Sequence, residues 1–261
     1  MNNFIKKHFT FDQFLAEAQT PWASKHKDKY VTHSQDTDSE SVEWTGTKNW
    51  NEAIKFAQYG WPTGTKKLKK ALDNLKGATA PALECSFDVA GEEVDIGRFL
   101  TGDPENMIEY NPVNREGIKF VEVYISFAYH CGHTAKDVIK RGAIILSNID
   151  ALEANGYRCK IIGYSKNGYR SGRSYKGLEL EVVLKEYDEA LELDRMAFCL
   201  INPSMLRRLG FKLIERFNPK QANKNYGKGV TFLAPENALH IDRDMFSEST
   251  INYHFKNNLA N

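Results

Sequence analysis

The sequence predicts an α/β fold in which a mixed sheet is flanked by helices, preceded by a small helical N-terminal region. Three observations predict it. An apolar run from Ile118 to Ala128 reads as a buried strand. It hands over to a long segment with Val138, Ile139, Ile145, Leu146, Ile149 and Leu152 on one helical stripe. A second strand-like run, Tyr157–Tyr164, and an alternating one, Leu178–Lys185, follow. Strand, helix, strand, strand, helix is the order of a sheet with helices packed on it.

Residues 1–43 carry a short helical pattern on Phe9, Phe11, Phe14 and Leu15, then a polar stretch, HSQDTDSESVE, that lacks periodicity and reads as a surface loop. Asn49 is placed to cap a helix over Trp50, Ala53, Ile54 and Ala57, which should stop at Tyr59-Gly60. A second helix, TGTKKLKKALDNLKG, puts Leu68, Leu72 and Leu75 on one face. From about residue 81 strands dominate. Ala82–Val89 reads as a strand, Gly91-Glu92 as a turn, and Glu93–Leu100 as a strand or short helix. Thr134 with Asp137 makes a capping box for the long helix, and Asn155-Gly156 ends it. Asp194 is placed to cap MAFCLI, and Pro203 opens a helix with Met205, Leu206, Leu209, Leu213, Ile214 and Phe217 facing inward. Val230–Leu233 is a last candidate strand. The expected division is residues 1–80, a helical region with a basic helix, and 81–261, an α/β core domain.

Composition narrows the function classes. The chain has 261 residues, 41% hydrophobic and 26% charged, as in an ordinary globular protein. No apolar run approaches the length of a membrane span. MNNFIKKHFTFDQF has no apolar core or cleavage site, so no secretory leader is expected and the cytoplasm is the expected location. The cysteines, Cys85, Cys131, Cys159 and Cys199, form no CxxC pair, which points to reduced thiols. Net charge is +1, so affinity for a polyanion must come from local patches.

The junction YISFAYHCGHTAKDVIKRG, Tyr124 to Gly142, stands where many folds bind a ligand. Its loop has one glycine where a phosphate loop needs several. His130, Cys131 and His133 are competent ligands, but no second pair completes a zinc set. Cys131 has no orienting acid at a recognisable spacing. Glu122, Asp88 and Asp95 lack the spacing of a two-metal nuclease. No cofactor, metal or catalytic residue is therefore expected.

Nucleic-acid binding has more support. YSKNGYRSGRSYKG, Tyr164 to Gly177, carries Lys166, Arg170, Arg173 and Lys176 with no acid, interleaved with Tyr164, Tyr169 and Tyr175. Read as a loop, it offers cations for phosphates and rings for unpaired bases. Lys66, Lys67, Lys69 and Lys70 on the second helix could neutralise phosphates, or simply form a solvated face. NPKQANKNYGKG repeats the composition more weakly with Lys224, Tyr226 and Lys228. Acids cluster elsewhere, early at Asp36–Glu43 and later at Glu186–Asp194.

Two resemblances extend this reading. The element order resembles a von Willebrand factor A-type domain. That family's DxSxS ion site would align Tyr124, Ser126 and Ala128, leaving one ligand, so the likeness implies a scaffold without an intact metal site. WTGTKNWNEAIKFAQYGWPTG, VDIGRFLTGDPENMIEY, IKRGAIILSNIDALEANGYRCKI and LDRMAFCLINPSMLRRLGFKLIERF, spread over nearly the whole chain, resemble an uncharacterised family of tailed phages and some bacteria. The size is similar to that of the single-stranded-DNA-binding transcription factors of Enquatrovirus-type phages. That likeness implies a non-enzymatic protein with single-stranded DNA and a phage RNA polymerase as partners. The alternative is a protein-interaction adaptor or host-factor inhibitor that binds no nucleic acid.

Overall fold

The structure is a computed structural model that describes residues 3–21, 34–35, 42–76, 84–90, 93–111, 119–130 and 132–257. Most of HSQDTDSESVE, the Gly91-Glu92 turn and Cys131 lie outside the described residues.

A mixed six-stranded sheet forms the centre. Strand β5 (Lys119–Ser126) runs parallel to β6 (Tyr157–Ser171) through the crossover helix α6 (Ala135–Ala154). β6 turns back antiparallel into β7 (Ser174–Lys185). The first strand, β1 (Asn3–Thr10), lies parallel to β7 at one edge, and β9 (Leu239–Ile241) lies parallel to β5 at the other. A short β8 (Lys228–Gly229) joins β6. The expected α/β class with helices on a mixed sheet is what forms.

Local signals set several boundaries. Thr134 and Asp137 make the expected capping box at the start of α6, and Gly156 follows its end with φ +85°. Asn49 caps α3 (Trp50–Tyr59) at Glu52, and Gly60 at φ +87° stops it before α4 (Pro62–Lys76). Helix α6 is the core's centre. Ile145 and Ile149 are fully buried there, each worth about 1.5–3 kcal/mol relative to exposure. At Gly142 a Cβ would stand 2.5 Å from Ile201, so this glycine permits the close crossing with α7 (Leu193–Ile201).

The two sheet faces differ. One packs Val123, Ile125, Ile161, Leu180 and Val182 into a core shared with α1 (Phe11–Gln19), α6, α7 and α8 (Phe211–Phe217). The other holds a smaller cluster of Tyr124, Ile162, Tyr164 and Val183, covered by Phe232 with Ala234 and Ala238 from an irregular segment.

Four expectations are corrected. The N-terminal helical pattern begins only at Phe11, behind a Thr10/Gln13 capping box. Ahead of it β1 is a strand because β7 offers it a free parallel edge. β1 pairs with β7 of the main sheet, and Phe14, Ala53 and Leu68 belong to the main core. Residues 164–177 are hairpin strands, not a loop. Val230–Leu233 is extended chain outside the strands; the strand comes later, as β9. Asp194 does not cap α7; Glu192 holds the cap position, and the Asp194 carboxylate accepts the Thr65 hydroxyl, tying α7 to α4.

Three elements stand apart as a second sheet: β2 (Glu84–Asp88), β3 (Glu93–Val94) and β4 (Met107–Asn111), in the order β2-β4-β3, with α5 (Ile96–Leu100) between β3 and β4. The remaining helices are α2 (Val42–Thr45), a π-helical segment Met205–Gly210, α9 (Pro219–Ala222) and α10 (Glu248–Asn257).

Candidate nucleic-acid interface

The end of β5 faces β9, where the sheet's connections diverge. In open parallel sheets this crevice takes ligands. Here the chain fills it. The Arg141 side chain reaches from α6 and donates to Ser126 O at 3.1 Å, Asp242 O at 3.2 Å and Met245 O at 3.0 Å. Phe246 lies 5.3 Å from the guanidinium carbon. Burial lowers the Arg141 pKa to about 10, so it stays charged at neutral pH. One buried cation thus closes both strand ends through backbone carbonyls.

The other junction groups are likewise engaged. Ser126 Oγ donates to Ala128 O at 3.0 Å. His130 Nδ1 accepts from the Gly132 amide, and the His133 ring stacks on Phe246 at 3.6 Å. Nearby, Tyr164 donates to Asp242 at 2.9 Å and sits 2.6 Å from His240 Nε2. Tyr164 has one proton and gives it to Asp242, so His240 must donate to the phenol oxygen. Burial, then the Asp242 charge, raises the Tyr164 pKa far above the ordinary phenol value. Burial lowers that of His240. The chain of bonds pins β9 to β6. Among the described residues, no group of three or more His, Cys, Asp or Glu could hold a metal ion. Glu122 lies on β5, whereas Asp88 and Asp95 belong to the separate small sheet, where Asp95 caps α5 through the Arg98 amide.

The basic segments are arranged more suggestively. The β6–β7 hairpin has a waist where Gly168 pairs with Gly177. A Cβ on Gly177 would stand 2.0 Å from Asn167 O and 2.8 Å from the Phe4 ring, so only glycine lets that ring lie over the pair. Beyond the waist the strands continue to a two-residue turn, Gly172-Arg173, with Gly172 at φ +63°. This tip carries Arg170, Arg173, Tyr175 and Lys176, all exposed, with Tyr169 half-buried. Arg170 Nε donates to Gly172 O at 3.2 Å, which braces the turn.

Below the waist, Lys166 is not a free cation. It pairs with Glu179 at 2.7 Å, as does Lys6 of β1 at 3.0 Å. Burial raises the Glu179 pKa, but the Lys166 and Lys6 hydrogen bonds outweigh it and hold the carboxyl below its ordinary range. Lys166 therefore serves the sheet first.

The third basic segment joins the hairpin. Asn225, Tyr226 and Gly227 all have positive φ and deliver β8 against β6, with Lys228 opposite Gly168. Lys224 and Lys228 are exposed there. Tyr226 corrects an expectation. It is buried, stacked on Phe211 at 3.9 Å, and donates to Glu215 at 2.6 Å, so it anchors the turn and does not present a ring to a base. Tyr164 is buried too. Lys66, Lys67, Lys69 and Lys70 are exposed on α4, whose other face packs on α6 and α7 in the helical layer. Sequence reasoning missed Lys6 and also Arg243, whose guanidinium lies against Gly229. The alternation of Phe4, Lys6 and His8 with Ile5, Lys7 and Phe9 was the signal for Lys6; Arg243 had none.

No curated protein and no solved structure matches the chain, so the von Willebrand A-type likeness rests on element order alone. A family model, described as a domain of unknown function (DUF7192), matches residues 6–257, and the chain belongs to that family.

Proposed function

We propose that the protein binds single-stranded nucleic acid at the distal end of the β6–β7 hairpin. The observation that carries the reading is the pairing of β8 with β6. It joins two basic segments that are some fifty residues apart in sequence: Lys228 stands opposite Gly168, at the base of the tip that carries Arg170 and Arg173. Exposed cations around a strand-built rim suit phosphates, and Tyr175, 41% exposed, suits a stacked base. The resemblance to a phage family supports placing this activity in phage transcription, where the protein, acting without catalysis in the host cytoplasm, would bring an RNA polymerase to DNA. Fluorescence anisotropy of a labelled single-stranded oligonucleotide across a salt series tests the binding. Five cations, Arg170, Arg173, Lys176, Lys224 and Lys228, predict a log–log salt slope of about −3.5. Binding absent at low salt, or without a salt slope, removes the proposal.

The second reading is an adaptor that binds protein only. It is favoured by the apolar surface of the small sheet, and that surface supports an inference that stands whether or not the hairpin binds nucleic acid.

A further inference from the structure

Helix α5 is built inside out. Its one side chain turned toward the small sheet is Arg98, whose guanidinium lies 3.7 Å from the Phe87 ring centre and pairs with Asp103 at 3.2 Å. Arg98 Nη1 also reaches Glu105 O at 3.4 Å. Asp95 caps the helix at the Arg98 amide, and the Asp95 amide donates to Asn106 O at 2.8 Å. These polar ties hold the helix against β4 without using its hydrophobic residues.

Ile96, Phe99 and Leu100, at the i, i+3, i+4 spacing of one helical face, point outward at 71%, 61% and 77% exposure. Val89 and Val94 of the same unit are exposed as well. Single exposed apolar residues are ordinary, but a contiguous group on a helix held in place by polar bonds marks a contact surface.

The charge around it chooses the partner. From Glu84 to Asn111 the sequence has eight carboxylates, of which Asp88, Asp95, Asp103 and Glu105 have described side chains, and one cation, Arg98, which is already paired. Nucleic acid and anionic lipid are repelled by such a unit. A cationic protein surface with its own apolar residues is attracted by the charge and gains from burying α5.

We infer that the outward face of α5, carried on this acidic unit, docks a basic amphipathic helix of a partner protein. The probe is a sixteen-residue leucine–lysine peptide with leucines at i, i+3 and i+4. Its controls carry serine for leucine, or glutamate for lysine. Calorimetry at moderate salt should show binding of the leucine–lysine peptide. The double variant Phe99→Ser/Leu100→Ser should weaken it about tenfold or more, since two apolar side chains are removed from the contact. Glu105→Lys, at an exposed carboxylate, should weaken it severalfold. Both variants should melt like the parent and keep any oligonucleotide affinity, which separates this inference from the hairpin reading. Equal binding by parent and Phe99→Ser/Leu100→Ser overturns it, as does equal binding of the glutamate peptide. A parent dimer in sedimentation that the double variant abolishes also overturns it, assigning the face to a second copy.

Discussion

The hairpin tip and the small sheet are both antiparallel β structure, yet they carry opposite chemistry. The tip beyond Gly168–Gly177 has three cations, Arg170, Arg173 and Lys176, and no acid; the small sheet has eight acids in its sequence and exposed apolar side chains. The tip is an extension of the main sheet and inherits its rigidity from β1 and β8 on either side. The small sheet is held by its own bonds, notably those of Arg98 and Asp95. A net charge of +1 therefore conceals two surfaces of opposite sign that would repel each other's partners. Such a molecule can bring a polyanion and a cationic protein close without competition between them.

The largest expected effect separates the two surfaces. Arg170→Glu/Arg173→Glu should lower oligonucleotide affinity by about a hundredfold at low salt and flatten the salt slope, because two phosphate contacts become repulsions. The same variant should bind the leucine–lysine peptide like the parent. Loss of both activities together would erase the distinction between the regions.

A smaller effect is expected at the hairpin base. Glu179→Gln leaves Lys166 and Lys6 without their carboxylate. Lys166 is largely buried and Lys6 largely exposed, so the cost should be about 1–3 kcal/mol in chemical denaturation. The pH sign follows from the lowered Glu179 pKa. The parent's advantage is complete above the ordinary carboxylate pKa and fades as pH falls through the lower folded value. An advantage that grew on acidification would contradict the pairing. Freed cations should also raise oligonucleotide affinity by about two- to threefold.

The smallest effect belongs to the helical layer. Replacing Lys66, Lys67, Lys69 and Lys70 with serine should change affinity by no more than about threefold and stability by about 0.5 kcal/mol per site or less. A tenfold loss would move the interface from the hairpin to α4.

What was legible in the sequence was local. Thr134 with Asp137, Asn49, Gly60 and Gly156 act on backbone groups within a turn or two, and each marks its helix boundary where the structure has it. The rest depended on distant partners. Arg141 has the spacing of an ordinary helix cation, and only the arrival of β9 about a hundred residues later makes it a buried clamp. Tyr226 reads as a loop aromatic until Phe211 and Glu215 enclose it. The hairpin's glycines and serines have low strand propensity, and flanking strands override it. The small sheet's apolar helix lies within VDIGRFLTGDPENMIEY, but nothing in the sequence says that Ile96, Phe99 and Leu100 face outward.

The edge strand β1 sets a timetable. Its partner residues, Lys176–Val183, lie about 170 positions downstream. A ribosome adding roughly 5–20 residues each second makes the first strand wait on the order of ten to thirty seconds for its ladder. During that interval it is an unpaired strand, the kind of segment that recruits other chains. Lys6 and Lys7 at its middle are therefore useful before the sheet exists: charge keeps the waiting strand apart from its neighbours on a polysome, and Lys6 later closes on Glu179 when the sheet is complete.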